Sequence, residues 1–208
     1  DLESGKRLWE REIYHGRPRG GRHVKNSFAS ETPVTDGERV YAYFTDYGLY
    51  AFDFEGKQIW ATPFERHATI RDYGTGASPA LHRDRLFVLN DNEEQSFLAA
   101  FDTRTGKELW RKPRTVEPTR KTGWSTPFVW ENRLRTEVVT LGPGVAISYS
   151  LDGSELLVAC PQRHEQIEGV VDGGVRVATR PVDLVHHQDH RQSQRQRLAQ
   201  HEPRLRQR

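Results

Sequence analysis

The stretch that decides the fold is FDTRTGKELW, residues 101–110. An apolar run ends at Phe101, the chain turns through Thr105 and Gly106, and a short outgoing segment reaches Trp110. Nearly the same phrase occurs as DLESGKRLWE (1–10), FDFEGKQIWA (52–61) and, in weaker form, YSLDGSELLV (149–158). Gly5, Gly56, Gly106 and Gly153 fall in phase at spacings of 51, 50 and 47 residues. Trp9, Trp60 and Trp110 align too, whereas Ser150, Ser154 and Leu157 stand at the aspartate, lysine and tryptophan positions of the last copy, so the repeat is expected to fade after Tyr149.

A second element lies upstream of each later copy: SETPVTDGERVYAYF (30–44), GASPALHRDRLFVLN (76–90) and STPFVWENRLRTEVV (125–139). Its prolines, Pro33, Pro79 and Pro127, are spaced by 46 and 48 residues. Two elements repeating in phase mark an internal repeat. Within a unit, VYAYF, LYAFD and KQIWAT read as short strands joined by the turns TDYG and FEG, and RLFVLN, SFLAAFD and KELWRK repeat that order. PVTD and PALH supply one more short strand each, giving four per unit.

A four-stranded unit of about 50 residues has the period of a propeller blade. So small a sheet must bury its faces against neighbours, which radial packing achieves. The expected fold is all-β: an open, partial β-propeller of four-stranded antiparallel blades over 1–160, with a strand solenoid as the alternative. Gly56, Gly106 and Gly153 suit turns that need positive φ. Asp53 and Asp102 precede their turns and are expected to accept backbone N–H bonds there. Trp60 and Trp110 are expected to pack on the next sheet and donate to a backbone carbonyl. A residue that recurs in every unit reads as architectural, so no catalytic role follows for these positions.

AAFDTRTGKELW (99–110) and YAFDFEGKQIW (50–60) resemble the tryptophan-docking motif of the PQQ-like, or quinoprotein-like, β-propeller repeats. Residues 1–150 resemble the PQQ-binding-like repeat branch, and NDNEEQSFLAAFD (90–102) and STPFVWENRLRTEVVT (125–140) extend the likeness. The resemblance implies a longer, seven- or eight-bladed parent of which about three blades are present, the rest of the propeller being missing. It implies a periplasmic or secreted location for that parent. It also brings an alternative, a PQQ- and calcium-dependent oxidoreductase, because true quinoprotein dehydrogenases share the repeat. Those enzymes often carry adjacent cysteines in a vicinal disulfide, and this chain has one cysteine, Cys160.

No cofactor and no metal are expected outside that alternative. Asp91, Asn92, Glu93 and Glu94 offer oxygen ligands but read more simply as a solvated hairpin connection. His15 with His23 lacks the further ligands that zinc requires. No nucleophile elbow, P-loop, dinucleotide fingerprint or HExxH is present, so the reading leans away from an enzyme. It favours a binding or scaffold module.

The segments between each tryptophan and the next proline are long, basic and rich in Gly, His, Arg and Tyr. In a propeller such inter-blade loops flank the channel mouth. The candidate set is His15, Arg22, His23 and Lys25, then His67, Arg71 and Tyr73, then Arg120, Lys121 and Trp124, lining one surface for an unidentified protein or an anionic ligand. The alternative is that these loops are merely solvated.

Formal net charge is +2, which asserts little about nucleic acid, and RPRGGR (17–22) resembles a nucleic-acid tract by composition alone. No apolar run approaches the ~18 residues of a membrane span, and no signal peptide begins the chain. Residues 161–208 hold nine Arg, eight Gln and five His, with no Lys and no Phe, Tyr or Trp. This segment has little to bury and is expected to be disordered. It reads as the product of a frameshift in a GC-rich gene, or else as a basic nucleic-acid-binding tail.

Overall fold

The computed structural model describes residues 1–116 and 119–159, and there the repeat becomes three four-stranded antiparallel sheets. The first holds β1 (Val34–Thr35), β2 (Arg39–Phe44), β3 (Gly48–Asp53) and β4 (Gln58–Pro63). The second holds β5 (Ala80–His82), β6 (Arg85–Asn90), β7 (Phe97–Asp102) and β8 (Glu108–Pro113). The third holds β9 (Phe128–Glu131), β10 (Thr136–Gly142), β11 (Val145–Ser150) and β12 (Glu155–Ala159). Each sheet is a meander in chain order, and the described sheets do not close a ring. PVTD and PALH do contribute strands, as β1 and β5.

The middle sheet explains why RLFVLN and FLAAF are apolar without alternation. Successive side chains of a strand point to opposite faces, and here both faces are covered. Leu86, Val88, Phe97, Ala99 and Phe101 pack against Tyr41, Tyr43, Leu49 and Ala51 of the first sheet. Phe87, Leu89, Leu98 and Ala100 pack against Val138, Val145, Ile147 and Tyr149 of the third. The short strand β5 touches both β1 and β9, so the inner strands are neighbours.

The seams between sheets repeat. Trp9 Nε1 donates to Phe54 O at 2.8 Å, Trp60 Nε1 to Thr103 O at 2.9 Å, and Trp110 Nε1 to Leu151 O at 3.0 Å. Each indole lies on the glycine of the following unit. A Cβ on Gly56, Gly106 or Gly153 would come within 2.5, 2.5 and 2.8 Å of the ring of Trp9, Trp60 and Trp110 respectively. Those glycines have φ of 78°, 69° and 86°, so glycine is required both for the turn and for the close approach. A bulge precedes each tryptophan position. Ala51 faces Trp60 but Phe52 faces Gln58, and Ala100 faces Trp110 but Phe101 faces Glu108. The extra residue re-aims the following side chain toward the neighbouring sheet.

A second seam runs along the inner strands. The N–H of Thr32 donates to Ser78 Oγ at 2.8 Å, and that of Ser78 to Thr126 Oγ1 at 3.0 Å. These three residues each precede the repeated proline.

Two expectations need correction. The third unit does not fade after Tyr149. Ser150 Oγ accepts the N–H of Ser154 at 3.0 Å, doing what Asp53 Oδ1 does for Lys57 at 2.7 Å, and β12 completes the sheet. Leu157 pairs with Ser148 across the bulge, at the register of Trp60 and Trp110. Nor is DNEE a solvated connection: Asp91 and Asn92 are buried. The side chain of Arg114 supplies the polar partner that the burial of Asp91 demands, and Asn92 bonds Asn90 and Gln95. The expectations for Cys160 and for the 161–208 segment lie outside the described residues.

Candidate functional site

The loops entering each sheet have few ladder partners, so their backbone groups are satisfied by side chains. Glu31 accepts from Thr45 Oγ1 at 2.8 Å and from Thr75 Oγ1 at 2.5 Å. Asn26 Nδ2 donates to Thr75 O at 3.1 Å. Asp72 Oδ2 accepts the N–H of Gly21 at 2.7 Å, and Asp72 also pairs with Arg66. The N–H of Ile70 donates to Thr122 Oγ1 at 2.8 Å, and Trp124 Nε1 to Gly74 O at 2.9 Å. These bonds tie three successive loops together. The reading of merely solvated loops is therefore incomplete.

Between them lies an open groove of about 380 Å³, lined by His23, Lys25, Asn26, Tyr73, Thr75, Gly76 and Trp124. The His23 N–H donates to Tyr73 O at 2.9 Å, and the two rings meet edge to face at 4.8 Å. Lys25 is exposed, and Trp124 is 43% exposed although its indole N–H is already used. An exposed indole face beside an ammonium group and an imidazole can hold a flat or apolar group next to a carboxylate.

Four of the ten candidate loop residues thus line one groove: His23, Lys25, Tyr73 and Trp124. Two more bond to lining residues. Arg22 donates to Asn26 O at 2.8 Å and lies over Phe28, and Arg71 donates to Tyr73 Oη at 3.4 Å. The others point elsewhere. His67 meets Glu94 at 2.9 Å, Lys121 Nζ donates to Glu93 O at 3.2 Å, and Arg120 is exposed outside the groove lining. His15 is exposed and sits 3.3 Å from Glu12, while His23 is held by Tyr73, so the two histidines share no site. The RPRGGR tract is docked onto the protein, with Arg19 over the Tyr47 ring at 5.0 Å.

Calcium does not fit residues 91–94. Arg114 Nε donates to Asp91 Oδ1 at 2.9 Å and Nη2 to Oδ2 at 3.4 Å. A cation there would face a guanidinium. Asn92 Oδ1 is used by the N–H groups of Glu94 and Gln95 at 2.9 and 2.8 Å. Burial pushes the Asp91 carboxyl above its usual range, and Arg114 opposes that shift. The His67 hydrogen bond holds Glu94 below its usual range. Among the described residues no three His, Cys, Asp or Glu side chains are gathered as metal ligands. Residues 91–94 therefore do not supply the calcium ligands that the resemblance to dehydrogenase members would require.

Sequence reasoning missed Asn26, Thr75 and Gly76 in the groove, Glu31 and Asp72 bonded to its loops, and Arg114 on Asp91. Short polar side chains that bond across loops leave no periodic signal. The Thr32, Ser78 and Thr126 series was findable, because each residue stands next to a proline already in phase.

No curated protein matches this chain. Among solved structures it is similar to the quinohemoprotein alcohol dehydrogenase of Comamonas testosteroni, with 16% identity, 62% of this chain and 26% of that chain covered, and a TM-score of 0.49. It is similar to a quinohemoprotein alcohol dehydrogenase of Pseudomonas putida HK5, with 17% identity, 62% and 26% covered, and a TM-score of 0.46. It is similar to BamB of Moraxella catarrhalis, with 15% identity, 64% and 36% covered, and a TM-score of 0.45. The chain thus spans between 26% and 36% of the length of these structures. The family described as outer membrane protein assembly factor BamB matches residues 1–182, and the chain belongs to that family.

Proposed function

We propose that this chain is a binding or scaffold module whose inter-blade groove receives an acidic, apolar-flanked segment of a protein partner. The observation that carries the reading is the convergence of His23, Lys25, Tyr73 and Trp124 from successive loops around one open groove. The family's description as an assembly factor supports a partner that is itself a protein. Trp124 would cover the apolar flank, and Lys25 and His23 would take the carboxylate.

Calorimetric titration with acetyl-Phe-Asp-Glu-amide tests it. Saturable binding is expected, with about a tenfold loss in Trp124→Ala and in Lys25→Glu. Equal binding of acetyl-Phe-Asn-Gln-amide would overturn it. The oxidoreductase reading is addressed by adding PQQ with calcium and following dye reduction, and we expect none. The family's description as an outer membrane assembly factor supports export to the periplasm, and cell fractionation of the native host tests it. The nucleic-acid reading depends on residues outside those described, and we expect no salt-dependent gel shift.

A further inference from the structure

The connections between the second and third strands of the three sheets differ. Residues 45–47 join β2 to β3 and 143–144 join β10 to β11, whereas 91–96 join β6 to β7. A short turn is enough to close such a hairpin, so the extra residues of the middle connection serve something other than the blade. They reach two loops at once. On one side the N–H of Glu93 donates to Ala68 O at 2.9 Å, and Glu94 Oε2 meets His67 Nδ1 at 2.9 Å. On the other side the N–H of Gly123 donates to Asp91 O at 3.2 Å, Lys121 Nζ to Glu93 O at 3.2 Å, and the N–H of Thr122 to Glu93 Oε1 at 3.2 Å.

Thr122 joins the two sides. Its hydroxyl donates to Glu93 Oε1 and accepts the N–H of Ile70 at 2.8 Å, and the residue is buried. A hydroxyl has one proton to give and two lone pairs to offer. The Glu93 carboxylate takes that proton and so turns a lone pair toward Ile70.

Both loops run on into the groove, to Tyr73 on one side and to Trp124 on the other. Between Ile70 and Tyr73 stand Arg71 and Asp72, with φ of 51° and 56°. Two consecutive non-glycine residues in the left-handed region are strained, and such a pair persists only where its surroundings hold it. Thr122 holds it at Ile70, and the bonds of Asp72 to Gly21 and Arg66 hold it at the other end. The two walls also meet directly, through Trp124 Nε1 and Gly74 O at 2.9 Å.

We infer that the 91–96 connection is a bracket that sets the spacing of the groove walls, with Glu93 as its positioning residue. Glu93 lies outside the groove lining and acts on Tyr73 and Trp124 through Thr122. Without its carboxylate the Thr122 hydroxyl turns freely, Ile70 loses its anchor, and the left-handed pair relaxes and carries Tyr73 and Gly74 away from Trp124. The inference rests on the groove reading above for its ligand, and its geometry can be read without one.

The test is nitrogen-15 NMR on the full chain, reading amide and indole cross-peaks, together with titration of acetyl-Phe-Asp-Glu-amide. In Glu93→Ala the Ile70 amide and the Trp124 indole cross-peaks are expected to move upfield as their hydrogen bonds are lost. The Trp60 and Trp110 indoles are expected to stay in place, which reports intact seams. Peptide affinity is expected to fall about tenfold. Glu93→Gln keeps an acceptor oxygen for Thr122 and is expected to restore both the cross-peaks and the affinity. Thr122→Val breaks the same chain at its middle and is expected to match Glu93→Ala, and the double variant is expected to lose no more than either alone. Three results would overturn the inference: unmoved Ile70 and Trp124 cross-peaks in both single variants, additive losses in the double variant, or movement of the Trp60 and Trp110 indoles along with Trp124 in both single variants, which would make the contact a general support of the fold. Absence of peptide binding by the parent protein would instead sink the acidic ligand proposed for the groove, and the cross-peaks would still decide the bracket.

Discussion

The Trp60 indole lies on Gly106 so closely that a Cβ on the glycine would come within 2.5 Å of the ring. The two residues come from consecutive motif copies, and the copies at 52–61 and 101–110 each both offer an indole and receive one. Trp60→Ala removes that half-buried ring and the bond to Thr103 O. The expected loss is about 3 kcal/mol of unfolding free energy. Trp60→Phe, which keeps most of the ring and drops the N–H, should lose about 1 kcal/mol. Urea unfolding followed by circular dichroism reads both.

Gly106→Ala and Gly5→Ala put the same methyl group on turns with φ of 69° and 65°. The backbone penalty is shared, and only Gly106 has a ring above it. Gly106→Ala is expected to cost about 2 kcal/mol more than Gly5→Ala. Equal melting temperatures would show that the indole yields freely.

Arg114 and Asp91 form an ion pair with side chains 0% and 1% exposed. Asp91→Leu strands a buried guanidinium and should cost about 3–5 kcal/mol. The double variant Asp91→Leu with Arg114→Met should recover most of that loss, because removing both charges also removes their desolvation cost. Chemical denaturation of the two single variants and the pair closes the cycle.

Asp102 and Asp91 should titrate in opposite directions. The Thr105 hydroxyl, with backbone N–H groups, holds Asp102 below its usual value. That contribution to stability is present above the unfolded carboxylate range, about pH 4, and is lost as pH falls through the lower folded value. Thr105→Val should return the Asp102 titration toward the usual range. Asp91 is raised by burial, so its ionisation opposes folding as pH rises through the raised value. Carboxyl carbon NMR titration of the two residues reads both signs.

Much of this architecture was legible because it is periodic. Glycines 50 and 51 residues apart, and prolines 46 and 48 apart, located the motif turns and the inner strands. The tryptophan seams followed from indole chemistry once the copies were aligned. The bulge before Trp60 and Trp110 was not legible, since one extra residue in a strand leaves no compositional mark. The groove was half legible. His23, Lys25, Tyr73 and Trp124 were among the candidates, while Asn26 and Thr75 act by bonding backbone across loops. Asp91 and Asn92 misled because acidic and amide residues normally mark solvent; Arg114, next after β8, makes the burial of Asp91 tolerable, and Asn92 is satisfied within its own turn.

The seam has a direction. The indoles of Trp9, Trp60 and Trp110 each reach forward, from one motif to the glycine of the next, so a run of these blades has unlike ends. Contacts of that kind, repeated between molecules, close into rings or grow into filaments. Leu157 sits where the last described strand would present the next forward-reaching indole. It offers no N–H and no flat ring, so a forward contact made from that strand would rest on aliphatic packing alone, with none of the carbonyl bonding of the three tryptophan seams.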